Sequence, residues 1–352
     1  MDMVIKSDIK SIAEAKYITW IKLDGKRILI TGATGFFSRY IIETLMYRNR
    51  EYNSDIKIIA MCRNEEKANI LYGEYYNDEN ITFVFQDVTS DIDVEDTVDY
   101  IIHTASPAST YKCVDNTWGT VSANVNGFNK VVECAKKCNT KRVLFFSSYS
   151  VYGSQAINGK PNEQAACLVN MDHGIDIYSL SKLLCEAMGK SYQDMVEFVS
   201  VRPSTTYGPG DTCSRKRLMT DAIDSYLKNE PIIIKSDGTA RRNFIYISDA
   251  VEAVFLVLLE GENGGIYNIA SDEEIAILDL MKIFTKFEGC VGYKFLEGNK
   301  AKYIQNSYNV LSADNSKLKQ LYNGAWREKV SLTEGIKRTI EWARGNDYFS
   351  EW

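Results

Sequence analysis

The segment Ile28-Leu-Ile-Thr-Gly-Ala-Thr-Gly-Phe-Phe-Ser38 changes abruptly from apolar residues to glycines and other small residues. The apolar part, residues 27–30, predicts a buried parallel strand, and the apolar spacing over residues 37–46 predicts a helix. Gly32 and Gly35 therefore fall in a strand-to-helix turn. In such a turn the backbone can approach a pyrophosphate, and the helix N-terminus offers N–H donors to it.

The third position of this glycine pattern is Ser38, which is small enough to keep the helix near the strand. A glycine pattern alone also fits an ordinary tight turn, so its interpretation depends on residues further along the chain. The residues of this turn that we predict to contact a dinucleotide are Gly32, Thr34, Gly35, Phe36 and Phe37.

Composition limits the class of protein. The chain has 352 residues, 45% of them hydrophobic and 25% charged, which indicates a globular protein with one substantial domain and a smaller partner. It has no apolar run long enough to span a membrane and no pattern of a secretion signal, so we predict a cytoplasmic protein without a membrane partner. The net charge of −6 argues against a nucleic-acid partner. Eight cysteines without a Cys-x-x-Cys pair, and only two histidines, argue against a metal site.

Two further predicted strands end in residues that bear on the cofactor. Residues 56–61 lead to Arg63, and the acid that would bind the adenosine ribose of NAD is missing there. Because an arginine can accommodate the 2′-phosphate of NADP, we predict NAD or NADP with NADP favoured, and a solvated surface arginine is the alternative. Residues 81–85 alternate as the next strand and lead to Asp87 and Val88, where the carboxylate could accept a hydrogen bond from adenine.

The alternation of strand and helix then continues. Residues 100–103 and 142–146 predict strands, and residues 121–138 predict a helix with Asn124 near its start. The first of these strands ends in a loop of small residues, at the edge where open parallel sheets bind ligands. The loop residues predicted to contact the cofactor are Thr104, Ala105 and Ser106. Five strand–helix alternations without a hairpin signal predict an α/β fold with a Rossmann-type, doubly wound parallel sheet.

Tyr178 and Lys182 lie four positions apart in a helical pattern, so both side chains project from one face. A nearby ammonium lowers the pKa of a phenol and allows it to exchange a proton near neutral pH. By itself such a pair is more often a surface contact. About 30 residues upstream, however, Ser148 follows the strand at residues 142–146, where its hydroxyl could share a substrate hydrogen bond with the tyrosine.

Seven positions in order carry a resemblance to a known family: Gly32, Gly35, Asp87, Asn124, Ser148, Tyr178 and Lys182. With them the chain resembles the nucleotide-sugar epimerase/dehydratase branch of the extended short-chain dehydrogenase/reductase superfamily. The resemblance runs from Gly25 to Trp342 and includes C-terminal segments at residues 202–209, 238–249 and 331–335.

This resemblance implies a domain organisation and partners. An N-terminal extension, residues 1–24, would precede an NAD(P)-binding domain at residues 25–203 and a smaller, mainly substrate-binding domain at residues 204–352. Strands around residues 244–247 and 266–270 would return to the first domain. A nucleoside-diphosphate sugar would lie in the cleft, and the helices at residues 121–138 and 178–192 would pair in a homodimer.

Roles for individual residues also follow from the resemblance. Catalysis is expected at Ser148, Tyr178 and Lys182. Further cofactor contacts are expected at Tyr178, Lys182, Asn124 and Arg202. Substrate contacts are expected at Ser106, Ser148, Tyr149, Thr205, Arg217 and Arg242. The last two are assigned to the diphosphate because paired charge-assisted bonds suit arginine, and a structural ion pair is the alternative for each.

Departures from the family pattern favour one reaction. In sugar 4,6-dehydratases an Asp-Glu pair follows the catalytic hydroxyl residue, and decarboxylases have a glutamate at the second place, whereas this chain has Tyr149-Ser150. Eliminating water needs an acid and a base near the reacting carbons, and neither side chain replaces a carboxyl group easily. A second departure is Thr205, where the family usually has an asparagine.

We therefore predict a nucleotide-sugar epimerase, acting at C4 through a transient 4-keto sugar. The first alternative is an NADP-dependent reductase of a 4-keto nucleotide sugar, which Arg63 favours. The second alternative is a nucleotide-sugar dehydratase or decarboxylase. The third is a non-catalytic dinucleotide-binding protein, since a fold does not fix a function.

Overall fold

The computed structural model describes residues 2–94, 97–107, 115–154, 159–169, 176–211, 217–296 and 309–346 of the chain. Its strands are β1 (Arg27–Thr31), β2 (Lys57–Cys62), β3 (Ile81–Phe85), β4 (Tyr100–His103), β5 (Arg142–Phe146), β6 (Glu197–Pro203), β7 (Thr205–Tyr207), β8 (Ile232–Ile234), β9 (Arg241–Tyr246), β10 (Ile266–Ile269), β11 (Glu274–Ala276), β12 (Tyr293–Phe295) and β13 (Val310–Leu311). Its helices are α1 (Met3–Ala13), α2 (Phe36–Tyr52), α3 (Glu65–Tyr72), α4 (Thr117–Val121), α5 (Gly127–Lys137), α6 (Asp176–Ser191), α7 (Leu218–Leu227), α8 (Ile247–Glu260), α9 (Ile277–Phe284), α10 (Ser316–Gln320) and α11 (Leu332–Gly345).

Within these described ranges the central sheet has seven strands in the order β10-β6-β5-β4-β1-β2-β3, and every pairing is parallel. The strand order reverses at β1, which lies between β2 and β4. A crevice forms at such a reversal, outside the carboxyl ends of the strands, and ligands bind there. The predicted Rossmann-type sheet is confirmed.

Helices cover both faces of this sheet because successive strand residues point in opposite directions. Ile28 and Ile30 belong to the same buried cluster as Ile41 of α2. Leu29, between them, belongs to the cluster on the other face, which includes Phe128 of α5 and Cys185 of α6. The sheet is therefore buried on both sides, as a doubly wound fold requires.

The C-terminal half contributes to two sheets, which corrects one prediction. β10 joins the central sheet beside β6. The strand expected around residues 244–247 is β9, and it lies instead in a smaller sheet with β7, β11 and β13. A strand with this apolar pattern can pair at an edge of the central sheet or of the smaller sheet. The sequence of β9 therefore does not specify which sheet it joins.

The N-terminal extension, residues 1–24, begins with a regular helix. α1 begins at Met3 because the side chain of Asp2 accepts a hydrogen bond from the backbone N–H of Val4 at 2.9 Å. A short 3₁₀ turn, Trp20–Lys22, follows separately. α1 packs against α2, α8 and α11, so the extension is part of the core. In the described part of the chain no helix has the length and apolar character to cross a membrane.

Candidate active site

The turn after β1 is shaped by a glycine that no other residue could replace without a shift of backbone. Gly32 has a φ of +67°, and a Cβ there would lie 2.8 Å from Ala105 Cα and 2.9 Å from Thr104 Oγ1. Gly35 is the N-cap of α2 and has no side chain to cap the helix. With Thr34 and Phe37, these glycines are partly exposed at the carboxyl edge of the sheet. The open backbone and the uncapped helix start fit a dinucleotide pyrophosphate.

Ser38, at the third position of the glycine pattern, makes a side-chain hydrogen bond. It is fully buried, and its hydroxyl lies 2.7 Å from Thr104 Oγ1. Thr104 Oγ1 in turn donates to the carbonyl of Thr31 at 2.7 Å. The start of α2 is thereby joined to the loop after β4 by hydroxyl groups. Phe36 and Phe37 flank this start, and Phe37 packs edge-on against Phe146.

The adenosine end of the crevice contains an ion pair. Arg63 Nη1 lies 3.4 Å from Asp87 Oδ2, and the arginine side chain is 77% exposed. Burial acts to raise the pKa of Asp87, but hydrogen bonds from Thr89 and the charge of Arg63 hold it below its ordinary value. Asp87 is thus an anion at neutral pH. Val88 is buried, and its side chain packs against Gly127 at the start of α5.

Asn124 lies at the centre of a chain of hydrogen bonds. Its Oδ1 accepts from Ser106 Oγ at 2.7 Å, and its Nδ2 donates to Ser181 Oγ at 2.8 Å. Ser181 Oγ donates to the backbone carbonyl of Tyr178 at 2.7 Å. Asn124 is fully buried. The Asn124 side chain therefore links the loop after β4 to α6, and its contact with the cofactor stays a prediction.

The helix that carries Asn124 is interrupted, which the predicted helix over residues 121–138 did not include. α4 begins earlier, where the Asn116 side chain accepts from Gly119 N at 2.9 Å, and a π-helical turn, Ser122–Asn126, separates it from α5. The carbonyl of Asn124 accepts from Cys185 Sγ at 3.3 Å. A π-helical turn displaces side chains from regular helical spacing, and such turns are frequent at functional sites.

Lys182 and Tyr178 occupy adjacent turns of α6, as predicted. Lys182 is 1% exposed and its Nζ donates to the carbonyl of Phe146 at 2.7 Å. The same Nζ lies 5.8 Å from the centroid of the Tyr178 ring, and Tyr178 is half-buried. Burial and the charge of Lys182 lower the pKa of His103 to about 3, so this neighbouring imidazole is neutral. Lys182 thus supplies a positive charge beside the phenol.

Ser148 leaves β5 in an extended conformation and caps the 3₁₀ turn Tyr149–Tyr152. Its Oγ accepts from the backbone N–H of Ser150 at 3.2 Å, which leaves the hydroxyl proton to donate elsewhere. Gly153 ends the turn at a φ of +56°, and a Cβ there would lie 2.0 Å from the carbonyl oxygen of Leu168. The loop can therefore close only with glycine at this position.

The predicted substrate contacts fall into two groups. Tyr149 OH lies 2.7 Å from Thr205 Oγ1, so these two departures from the family pattern contact each other. Arg242 interacts electrostatically with Tyr149, and its Nη1 donates to the carbonyls of Arg241 and Asn309.

Arg217 belongs to the second group. It is the N-cap of α7, where its backbone N–H donates to Thr220 Oγ1 at 3.0 Å, and it is half-buried. Its place in a substrate site remains a prediction.

Arg202 is engaged in a structural contact. Its Nε and Nη2 donate to the two carboxylate oxygens of Glu186 at 2.9 and 2.6 Å, and both side chains are 3% exposed. The guanidinium also lies over the Tyr152 ring. This buried bidentate pair joins β6 to α6, and the cofactor contact of Arg202 stays a prediction.

The sequence did not predict the hydroxyl groups that lie beside Ser148 and Tyr178. Ser179 Oγ donates to Ser150 Oγ at 2.9 Å, and both residues are buried. Ser181 binds Asn124, as described above. The signal available was the serine content of residues 147–150 and 179–181, but serine spacing does not reveal its partner on another element.

Comparisons with known proteins agree with this fold. The model of the NAD dependent epimerase/dehydratase family matches residues 28–270. A dTDP-D-glucose 4,6-dehydratase of Bos taurus is 25% identical over 339 residues, which cover 93% of this chain and 90% of that protein. The chain belongs to the NAD dependent epimerase/dehydratase family, and it is an enzyme that uses a nicotinamide dinucleotide.

Two solved structures share the fold. A dTDP-glucose 4,6-dehydratase of Streptomyces venezuelae with NAD bound has a TM-score of 0.77 and 22% identity, and the match covers 91% of this chain and 97% of that one. A UDP-glucuronic acid 4-epimerase of Bacillus cereus, in complex with UDP-glucuronic acid and NAD, has a TM-score of 0.75 and 22% identity, with 91% and 99% covered. Both reactions therefore occur on this fold.

Proposed function

We propose that the protein is a nucleotide-sugar epimerase acting at C4 through a transient 4-keto sugar. The observation that carries the proposal is the loop after Ser148. In the two places that follow it, Tyr149 is hydrogen-bonded to Thr205 and Ser150 to Ser179, and neither supplies a carboxylate. Elimination of water needs an acid–base pair near C5 and C6, whereas epimerisation needs only proton exchange at the C4 oxygen.

The roles of the three catalytic residues follow from their positions. Tyr178, as phenolate, removes the proton of the C4 hydroxyl, and Lys182 stabilises the phenolate and holds the nicotinamide ribose. Ser148 donates a hydrogen bond to the C4 oxygen, because its acceptor lone pair already binds Ser150 N–H. A bound nicotinamide supplies reversible hydride acceptance. The proton then returns from Tyr178 after the sugar has turned its other face.

The substrate is a nucleoside-diphosphate sugar. Arg242 and Arg217 are assigned to the diphosphate, since guanidinium groups bind phosphate oxygens in pairs. The proximity of Arg242 to Tyr149 supports its assignment.

The second candidate is an NADP-dependent reductase of a 4-keto nucleotide sugar. It is favoured by Arg63, which follows β2 and whose side chain is 77% exposed. A reductase would use the same Ser148, Tyr178 and Lys182, but it would consume one reduced cofactor per product.

We also propose a homodimer formed through α4, α5 and α6. Apolar side chains are exposed on two of these helices: Trp118 is 74% exposed, Leu184 50% and Leu180 36%. An exposed apolar patch of this kind marks an interaction surface. Sedimentation should give a dimer mass at micromolar concentration, and Trp118→Glu with Leu184→Glu should give a monomer; a monomeric native protein would contradict the proposal.

The reaction is tested by incubating the purified protein with uridine-, guanosine-, cytidine- and thymidine-diphospho sugars and analysing the products by mass spectrometry. An epimerase gives an isomer of unchanged mass, and a deuterium label at C4 is retained. A reductase adds two hydrogens to a keto sugar. A product lighter by one water or one carbon dioxide would refute the epimerase proposal.

A further inference from the structure

The loop after β5 is held to α6 on both sides of Ser148. Before Ser148, the carbonyl of Phe146 accepts from Lys182 Nζ at 2.7 Å. After Ser148, the hydroxyl of Ser150 accepts from Ser179 Oγ at 2.9 Å. Ser148 therefore lies between two attachment points that belong to one helix.

The helical positions of these attachments place Tyr178 beside both of them. Ser179 and Lys182 are three positions apart, so they project from the same side of α6 toward the loop. Tyr178 directly precedes Ser179 and has Lys182 one turn away. Any movement of the Ser150 end of the loop would change the separation between the Ser148 hydroxyl and the Tyr178 phenol.

Ser150 also acts on Ser148 directly. Its backbone N–H donates to Ser148 Oγ at 3.2 Å, so the position of Ser150 decides where the Ser148 hydroxyl points. The exposed fraction of Ser150 is 8% and Ser179 is fully buried, so water does not compete readily for the bond between them. The bond joins two hydroxyl groups, which do not titrate near neutral pH.

We propose that Ser150 and Ser179 are positioning residues, whose hydroxyl bond sets the distance between the catalytic groups of Ser148 and Tyr178. The proposal rests on the proposed function, because both catalytic groups would contact the same C4 oxygen. Ser150 thus has a task different from that of the carboxylate at this position in dehydratases: it supports the catalytic hydroxyl instead of contacting the sugar.

The test compares Ser150→Ala, Ser179→Ala and the double variant with Ser191→Ala. Ser191 is an exposed serine at the end of the same helix, bonded only locally to the carbonyl of Met188. We expect each single variant to lose about tenfold or more in kcat per folded molecule, with KM within about twofold, because a small displacement of catalytic groups is costly. The double variant should lose no more than the worse single one, since both remove the same bond. Ser191→Ala should keep the native kcat.

A conservative variant separates the hydroxyl from the rest of the side chain. Ser150→Thr keeps a hydroxyl acceptor and should retain most of the native kcat, whereas Ser150→Ala should not. Native kcat in both alanine variants with a lower Tm would mean that the pair is merely structural and would overturn the proposal. So would multiplicative losses in the double variant, or equal losses in Ser150→Thr and Ser150→Ala.

Failure of the proposed function would look different. If the native protein released a dehydrated sugar, the epimerase assignment would fail. The pair could still be tested on that reaction, since dehydration and epimerisation both begin with removal of the C4 hydroxyl proton. If the native protein epimerises and the alanine variants are equally fast, only the positioning proposal fails.

Discussion

The hydroxyl network around Tyr178 and the cluster around Asp8 are both largely buried, but they consist of different groups. The hydroxyl network comprises Ser106, Asn124, Ser148, Ser150, Ser179 and Ser181. The Asp8 cluster comprises Asp8, Tyr40, Tyr246 and Arg338. In it, Asp8 Oδ2 accepts from Tyr246 OH at 2.8 Å and Tyr40 OH at 3.4 Å, and Oδ1 lies 3.3 Å from Arg338 Nη1. The first surrounds the catalytic residues, and the second joins α1 to α2, β9 and α11.

The difference lies in their response to pH. Hydroxyl and amide groups do not titrate near neutral pH, so the hydrogen bonds of this network do not depend on pH. Burial raises the pKa of Asp8 to about 6, although Tyr246 and Arg338 act to lower it. The hydroxyl network therefore does not change with pH. The contact that attaches α1 weakens as the Asp8 carboxyl group ionises, because its neighbours do not fully compensate the buried charge.

The largest effect expected in this comparison comes from the catalytic phenol. Tyr178→Phe should reduce turnover by about two orders of magnitude or more, because a positioned acid–base group contributes on this scale. The melting temperature and cofactor binding should stay close to native, since the ring remains. Steady-state kinetics and cofactor titration would check this, and unchanged turnover would remove Tyr178 from its assigned role.

Asp8→Asn tests the charged cluster. The folded-state pKa of Asp8, about 6, exceeds its ordinary value of 3.8, so the folded protein holds a proton that the unfolded chain has released. The stability that Asp8 contributes is therefore fully present below about pH 4 and is lost as pH rises through about 6. Relative to Asp8→Asn, the native protein should lose up to about 3 kcal/mol of unfolding free energy between pH 4 and pH 8.

Denaturant titrations of both proteins at the two pH values would measure this difference. Burial also raises the pKa values of Glu43 and Asp249 to about 7. Both residues are present in both proteins, so their contributions to the unfolding free energy cancel in the difference. Turnover should be native in the variant at pH 8. A stability difference that is the same at both pH values would contradict the assignment of the titration to Asp8.

The two clusters also differ in how far the sequence predicts them. The turn at Gly32 and the pair Tyr178 and Lys182 are local patterns, set by a few neighbouring residues, and the structure has them in the predicted elements. The bond of Ser150 to Ser179 and that of Asp8 to Tyr246 join residues far apart in sequence. Such pairs depend on how elements pack, which apolar periodicity does not specify.

The same reasoning explains why the predicted placement of β9 was wrong. β9 has a strand pattern that fits either sheet, and its membership depends on pairing with β7 and β11. Arg202 and Asn124 were assigned from the family pattern, which does not specify their protein partners: Glu186 for Arg202, and Ser106 and Ser181 for Asn124.

Asn124→Ala tests the hydroxyl network, whose members carry no charge. It leaves the hydroxyls of Ser106 and Ser181 without their amide partner, which should cost about 2 kcal/mol of unfolding free energy. The loss should be equal at pH 5 and pH 8, because nothing in this contact titrates. Asn126→Ala is the matched control, since Asn126 lies in the same π-helical turn but is exposed. A loss that varies with pH would show that the contact is coupled to a charged group.

The smallest effect is expected at the exposed pair of Arg63 and Asp87, which extends the comparison from buried to solvated charge. Arg63→Ala should change the unfolding free energy by under about 1 kcal/mol, because exposed ion pairs contribute little. It should nevertheless weaken NADP binding about tenfold while leaving NAD binding nearly unchanged, since only NADP presents a 2′-phosphate to a guanidinium.

The control variant is Arg50→Ala, at another exposed ion pair, with Glu74, and it should change the affinity for neither cofactor. Calorimetric titration of both cofactors would measure these affinities. Equal losses of affinity for NAD and NADP would mean that Arg63 acts through Asp87 on the adenosine that both cofactors share. Unchanged affinity for both would mean that Arg63 is a surface residue without a role in binding.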